Sequence, residues 1–342
     1  MTDNFKSYLF NFSYSFFGGG LKRILAYLKW FNEHGGACFA LNHRLKGIEK
    51  TFPMNRYCFI QHNNIAKVFN YCPTFDRFIV DIGKIDLYYS YGIPLSRKVG
   101  RVNWLHIANV LTLVNAKKYI SLKRSLELRL LGILMRNGMK YADIISAESL
   151  ASLDLLSSPP HAKLIVSVNG SNEEITAYKQ KLHKIETTEN IAVAVGTCQY
   201  KCIDDVYKIY LHLLQSNPEL RLVIAGIKED VPAFIQKDNR VTLSGVLPQT
   251  EVCDLLQRAK YYLTATLIEN SYNAASEGAF LAKEAYVSDI GPHRELLKNV
   301  KYKILNNLGT RVASLYVDSK DLIVSNLKSW DQVINEMLFE IR

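Results

Sequence analysis

The feature that most constrains the fold is a unit repeated along the chain: a short apolar strand, a glycine-bearing turn, an amphipathic helix and another strand. Residues 7–12 (Ser-Tyr-Leu-Phe-Asn-Phe) read as a first strand, with Gly18-Gly19-Gly20 in the loop after it. Over 21–34 apolar residues recur at helical spacing (Leu21, Ile24, Leu25, Leu28, Phe31), and Gly35-Gly36 stops the helix before a strand over 37–41. Strands over 102–107, 141–146 and 163–168 continue the pattern, with a helical segment over 113–140 between them. A second series starts at 191–195 (Ile-Ala-Val-Ala-Val), a continuous apolar run suited to a central parallel strand, closed by Gly196. Strands over 220–225, 241–243, 261–266 and 284–287 then alternate with helices over 204–215, 249–259 and 273–281. Such alternation builds parallel sheets covered by helices, and 342 residues exceed what one core usually holds. The prediction is an α/β chain of two doubly wound domains, parted by the polar stretch 171–188. A final helix over 331–341 has no strand left to follow.

Charge is unevenly placed. Residues 1–170 hold 22 Lys/Arg and 10 Asp/Glu, a net of +12, and the remaining 20 basic and 22 acidic residues give −2, which sum to the overall +10. A basic half implies a polyanionic partner, and nucleic acid or an anionic membrane face would fit. No nucleic-acid-binding motif is present and the charge is not concentrated on a short recognition element, so no nucleic acid is expected. The segment 113–140 has Leu and Ile on one face and Lys117, Lys118, Lys123, Arg124, Arg129 and Arg136 on the other. It is either a solvated face or a contact with a membrane surface, where each Lys or Arg near anionic lipid contributes ~1 kcal/mol. The six cysteines show no Cys-x-x-Cys and no pairing with His at zinc spacing, so reduced thiols in a cytosolic protein and no metal are expected. The start of the chain lacks the basic residues and apolar run of a signal peptide, and the uncharged stretch 7–21 is too short and polar to span a bilayer. The expectation is a cytoplasmic protein that, where it meets a membrane, lies on it and does not cross it.

The sharpest local motif is Glu269-Asn-Ser-Tyr-Asn-Ala-Ala-Ser-Glu277, at the C-terminal end of a strand and running into a helix. Glu269 would stand in the strand-to-helix loop and Glu277 two turns along. Ser271, Tyr272 and Asn273 would offer backbone N–H groups at a helix N-terminus, a seat for an anion. One carboxylate could hold a sugar and the other a ribose, with a diphosphate between them. Taken alone, the same pattern also reads as a capping Glu and a surface Glu.

This stretch resembles the signature Glu, seven residues, Glu of family 4 of the retaining glycosyltransferases. Further resemblances follow in the same order: Val195-Gly196 with Lys201 and Asp204-Asp205 beyond, Leu222-Val-Ile-Ala-Gly226, Val241-Thr-Leu-Ser-Gly245-Val246, and Ser288-Asp-Ile-Gly291 with Glu295. In the first half, 142–149 and Asn169-Gly170 are also similar to the family. The resemblance implies a GT-B fold: two Rossmann-like doubly wound domains facing a central cleft. It places an acceptor-binding domain at 1–170, a nucleotide-sugar-binding domain at 171–325, and a C-terminal helix at 326–342 returning to the first domain.

It also implies roles. Glu269 would hold donor sugar hydroxyls, Glu277 the ribose, and Lys201 the diphosphate, where a cation stabilises the departing nucleotide. Gly19 and Gly20 would let backbone approach the diphosphate, and Gly196, Thr197, Val246, Leu247, Ser271, Tyr272 and Asn273 complete the donor-binding set. The family often has Arg where Thr197 stands, and Arg294 is a candidate to replace it. His106, in a strand reading Trp-Leu-His-Ile, is either a satisfied core residue or, as the resemblance implies, a neighbour of the reacting sugar. The catalytic set is then His106, Lys201 and Glu269. The implied reaction carries a hexose or N-acetylhexosamine, for instance N-acetylgalactosamine, from a UDP-sugar in α-linkage. The acceptor would be an undecaprenyl-diphosphate-linked saccharide in O-antigen (lipopolysaccharide) or capsule assembly. No Asp-x-Asp stands out, so no metal and no cofactor are expected. The competing reading keeps the fold but makes the chain a nucleotide-sugar epimerase or a nucleotide-sugar-binding protein.

Overall fold

Seven strands form the first sheet: β1 (Tyr8–Asn11), β2 (Cys38–Asn42), β3 (Arg56–Ile60), β4 (Leu87–Tyr91), β5 (Val102–Ile107), β6 (Ile144–Ala147) and β7 (Lys163–Val166). The order is β3-β2-β1-β4-β5-β6-β7, and every neighbouring pair is parallel. The structure is a computed structural model describing residues 7–16, 18–61, 72–114, 120–156, 161–171, 175, 188–318 and 327–342. Lys117, Lys118 and most of the stretch 171–188 lie outside these residues.

Helices α1 (Gly18–Glu33), α2 (Pro73–Ile82), α3 (Leu122–Gly138) and α4 (Leu150–Leu153) connect these strands. One sheet face is aromatic, with Phe10 packed against Phe39, Tyr89 and, edge-on, Tyr27 of α1. Leu9, Ala40, Leu105 and Ile107 point to the other face and meet Met135 of α3. This is the period-2 alternation of a sheet buried on both sides.

The structure departs from two expectations drawn from the sequence. Gly18-Gly19-Gly20 opens α1 and is not a loop: glycine's cost in a helix is small at the first turn, and Gly18 begins it with φ +60°, a conformation that suits glycine. The segment 113–140 is described as a helix only over Leu122–Gly138, and its Leu and Ile side chains do not form one face set against the cations.

The second sheet comprises β8 (Glu189–Val195), β9 (Arg221–Ala225), β10 (Val241–Gly245), β11 (Ala259–Leu263), β12 (Glu284–Ser288), β13 (Lys303–Leu305) and β14 (Ser314–Asp318). Its order is β10-β9-β8-β11-β12-β14-β13. The first five strands are parallel, and β14 runs antiparallel to both β12 and β13. Helices α5 (Ile203–Ser216), α6 (Ala233–Gln236), α7 (Gln249–Arg258), α8 (Asn273–Leu281) and α9 (Gly291–Leu296) flank it. α8 lies close on β11 because residue 278 is glycine: a Cβ there would fall 2.3 Å from the Tyr262 ring.

The chain divides into two units, 1–170 with 330–342, and 171–329. The last helix, α10 (Trp330–Glu340), therefore belongs to the first unit. Its Ile334, Met337 and Leu338 join the aromatic core of the first sheet. Gly170 backs onto Trp330, where a Cβ would lie 2.6 Å from the indole.

Candidate functional site

In doubly wound sheets ligands bind outside the carboxyl ends of the strands, where the strand order reverses. In the second sheet that point lies between β8 and β11. β8 ends at Val195, and Gly196 follows with φ +87°, a left-handed conformation that suits glycine. A tight turn over Gln199–Lys201 leads into α5. Its Tyr200 carbonyl accepts the Leu267 N–H at 3.0 Å and the Thr266 hydroxyl at 3.3 Å, which ties this turn to the loop after β11. That tie brings the Lys201 ammonium onto the Glu269 carboxylate in a direct ion pair. The side chains are 15% and 20% exposed, shielded from bulk water yet open to a ligand.

Beyond Glu269 the chain enters α8, whose first turn has no side-chain cap. Ser271 donates instead to Asn273 Oδ1 at 2.8 Å. The amides of the first turn are thus left to a ligand or solvent, with the positive end of the helix dipole behind them. Glu277, mostly buried in the second turn, accepts from Gln249 Nε2 at 2.9 Å. The loop after β10 carries Val246, 76% exposed, and Leu247, which packs against the core.

Thr197 is buried against Gly226, where a Cβ would lie 2.7 Å from its side chain. Arg294 makes a two-pronged bond to Asp289, at 2.5 and 2.8 Å. Two neighbours of the site, Gln249 and His293, carry no motif of their own in the sequence. His293 is buried and donates through Nδ1 to the Ser288 carbonyl at 2.8 Å. Burial lowers its pKa to about 4 although the Glu269 charge pulls the other way, so a neutral imidazole stands near the carboxylate. Its only sequence signal was its place between Ser288 and Glu295.

In the first sheet the reversal falls between β1 and β4. Gly18, Gly19 and Gly20 form the start of α1 after β1, with Gly20 facing Ser15 and Tyr91. His106, near the end of β5, is fully buried and stacks on Tyr91 with ring centres 5.1 Å apart. Its Nδ1 meets Ser146 Oγ at 2.8 Å, and the same oxygen accepts from Trp104 Nε1 at 2.6 Å. Its Nε2 has no hydrogen-bond partner among the described residues and lies 3.8 Å from Glu148 Oε1. Burial and the Arg23 charge lower the His106 pKa to about 4. Burial opposes charge on Glu148 too, but His106 and Arg23 outweigh it and hold the carboxyl below its usual range. Arg23, with no exposed surface, bonds Asn169 Oδ1, the Tyr89 hydroxyl and the carbonyls of Ser167 and Val168. Neither Arg23 nor Glu148 stands in a motif that local spacing would reveal.

Among the described residues no group of three or more His, Cys, Asp or Glu could hold a metal ion, and no helix is long and apolar enough to cross a membrane.

No family model matches the sequence, and no curated protein matches it. Solved structures do. The chain is similar to a glycosyltransferase from Rickettsia africae, with 13% identity, TM-score 0.61 and coverage of 98% of this chain and 97% of that one. It is similar to HepE from Anabaena in complex with UDP and glucose, with 14% identity, TM-score 0.56 and coverage of 85% and 83%. Sucrose-phosphate synthase from Thermosynechococcus elongatus shares 10% identity at TM-score 0.60, over 98% and 90%. With its two Rossmann-like units, each a helix-flanked sheet built on parallel strands, the chain has the α/β GT-B fold.

Proposed function

We propose that this chain is a retaining, metal-independent glycosyltransferase with its donor site at the β8–β11 switch point. The observation that carries the reading is the Lys201–Glu269 pair beside the uncapped N-terminus of α8. A nucleoside diphosphate needs cations and amide donors for its phosphates, and a sugar needs a carboxylate for its hydroxyls. Lys201, the first amides of α8, and Glu269 supply these, while Glu277, steadied by Gln249, suits ribose hydroxyls. The bond from the anomeric carbon to the departing UDP breaks and a bond to the acceptor hydroxyl forms on the same face. The leaving phosphate oxygen takes the acceptor proton. Neither carboxylate acts as nucleophile, so the protein's part is positioning and charge stabilisation. His106 and the glycines at 18–20 belong to this reading as residues of the acceptor-side domain. HepE, solved with UDP and glucose, supports a UDP-sugar as donor.

The donor sugar in this reading is a hexose or N-acetylhexosamine, transferred in α-linkage to a lipid-diphosphate-linked saccharide of O-antigen or capsule assembly. The acceptor is reached at the inner face of the membrane, toward which the net +12 of residues 1–170 draws the protein. A screen of UDP-sugars against a synthetic lipid-diphosphate sugar acceptor, read by product mass, tests the proposal. A mass increase of one hexose or N-acetylhexosamine with EDTA present is expected. Donor consumption without acceptor would point instead to an epimerase, and activity that EDTA abolishes and a divalent ion restores would overturn metal independence.

A further inference from the structure

Helix α3 turns outward the side chains that a water-facing helix would bury. Leu122, Leu126, Leu130 and Ile133 are 71%, 56%, 39% and 48% exposed. At 3.6 residues per turn they fall within an arc of about 80°, a continuous apolar stripe two and a half turns or more long. Scattered exposed leucines are ordinary on proteins, but an aligned row of them marks a contact surface.

The helix cannot roll to hide the row. Its packed side is Ser125, Leu128, Gly132, Met135 and Gly138. A Cβ at Gly132 would stand 2.1 Å from the Thr112 carbonyl oxygen, and one at Gly138 would stand 2.7 Å from the Leu95 backbone. Backbone therefore lies directly against the helix on that side, leaving no room for leucine. Arg136 fixes the rotation further by donating to the Leu113 carbonyl at 3.2 Å.

Cations border the row on both sides. Lys123 flanks one edge and Arg129 and Arg136 the other, all exposed, while Arg124 pairs with Glu127 at 3.0 Å. An apolar stripe between two basic borders matches a layered partner, acyl chains beneath and phosphates beside, which is the cross-section of an anionic lipid surface. Pairing with a second copy of the helix would bring basic borders together in either orientation, and like charges in contact oppose association.

We propose that α3 is a membrane-surface anchor, with the Leu122–Leu126–Leu130–Ile133 row inserted among acyl chains and Lys123, Arg129 and Arg136 on anionic headgroups. This deepens the membrane-side part of the function proposed above, on which it rests only for the identity of the acceptor. Its test involves no donor and no turnover, so either can fail alone.

The full-length chain is co-sedimented with vesicles of phosphatidylcholine containing phosphatidylglycerol, and with vesicles of phosphatidylcholine alone. The wild type is expected to sediment with the anionic vesicles. The double variant Leu126→Ser/Leu130→Ser, altered only at exposed positions, should bind at least about tenfold more weakly, since two leucines no longer leave water. Lys123→Glu/Arg129→Glu should lose the preference for the anionic lipid. Vesicle binding by Leu126→Ser/Leu130→Ser as tight as that of the wild type overturns the proposal, as does a wild type that ignores both lipids. A wild-type dimer by light scattering that Leu126→Ser/Leu130→Ser converts to monomer, with no vesicle binding, assigns the row to a second copy and overturns it too.

Discussion

The two units share a strand order up to the fifth strand, yet they gather polar side chains at different strand ends and at different depths. In the second unit the switch point carries a partly exposed ion pair, Lys201 with Glu269, and a helix terminus without a side-chain cap. In the first unit Arg23 of α1, His106 near the end of β5 and Glu148 just after β6 are all buried, with Arg23 bonded to the segment 167–169. The difference is one of depth: the pair in the second unit is partly exposed, whereas the cluster in the first is sealed from solvent. A buried charge must be matched by its neighbours, whereas a pair at a surface crevice can exchange its partner for a substrate.

That contrast can be broken by variants whose effects should fall on different quantities. Arg23→Ala should show the largest effect, about 3–5 kcal/mol lost in urea unfolding, because it leaves Glu148 buried with its nearest cation gone. A loss below about 1 kcal/mol would mean that the cluster is not structural. Glu269→Ala should leave the unfolding curve in place and lower sugar transfer about 10²–10³-fold, the scale of losing one charge-stabilising group. Normal turnover in that variant would remove Glu269 from the site.

A third test concerns what the two units have in common. His106 and His293 are each held near pKa 4, against an ordinary value near 6.5. In that interval the unfolded chain binds protons that the folded chain refuses. The stability these residues contribute is therefore complete above pH 6.5 and lost as pH falls toward 4, by roughly 3 kcal/mol each at most. Unfolding measured between pH 7 and 4 should show a shallower decline in His106→Gln and in His293→Gln than in the wild type. An unchanged decline in both would contradict the buried neutral rings. The smallest effect is expected from Gln249→Ala, a rise of about three- to tenfold in donor KM with kcat unchanged, since it removes one neutral hydrogen bond to Glu277.

Much of this was legible in the sequence. The strand at Val102–Ile107 and the helix at Asn273–Leu281 occupy the residues that periodicity predicts. Other elements escaped notice for physical reasons. β4 reads Leu-Tyr-Tyr-Ser-Tyr, polar on hydropathy, yet all five residues are buried because the tyrosine rings pack across the sheet or reach partners. β13 and β14 run antiparallel at the edge, outside the strand–helix alternation that revealed the rest. The glycines at 18–20 looked like a loop because glycine is a poor helix former, but at the first turn that cost is small. In the candidate site, Glu269 and Glu277 stood out by local pattern and Lys201 only through the family resemblance. Their pairings did not: Glu269 meets Lys201 across 68 positions and Glu277 meets Gln249 across 28, and no local spacing encodes such contacts.

The most direct test of the central claim is calorimetric titration of UDP into the full-length chain, its Lys201→Ala variant and its Glu277→Ala variant. If the β8–β11 crevice is the donor site, the wild type binds UDP and each variant binds at least about tenfold more weakly, as the loss of a charged contact to phosphate or ribose requires. Binding of equal strength in all three proteins, or none in the wild type, would contradict it.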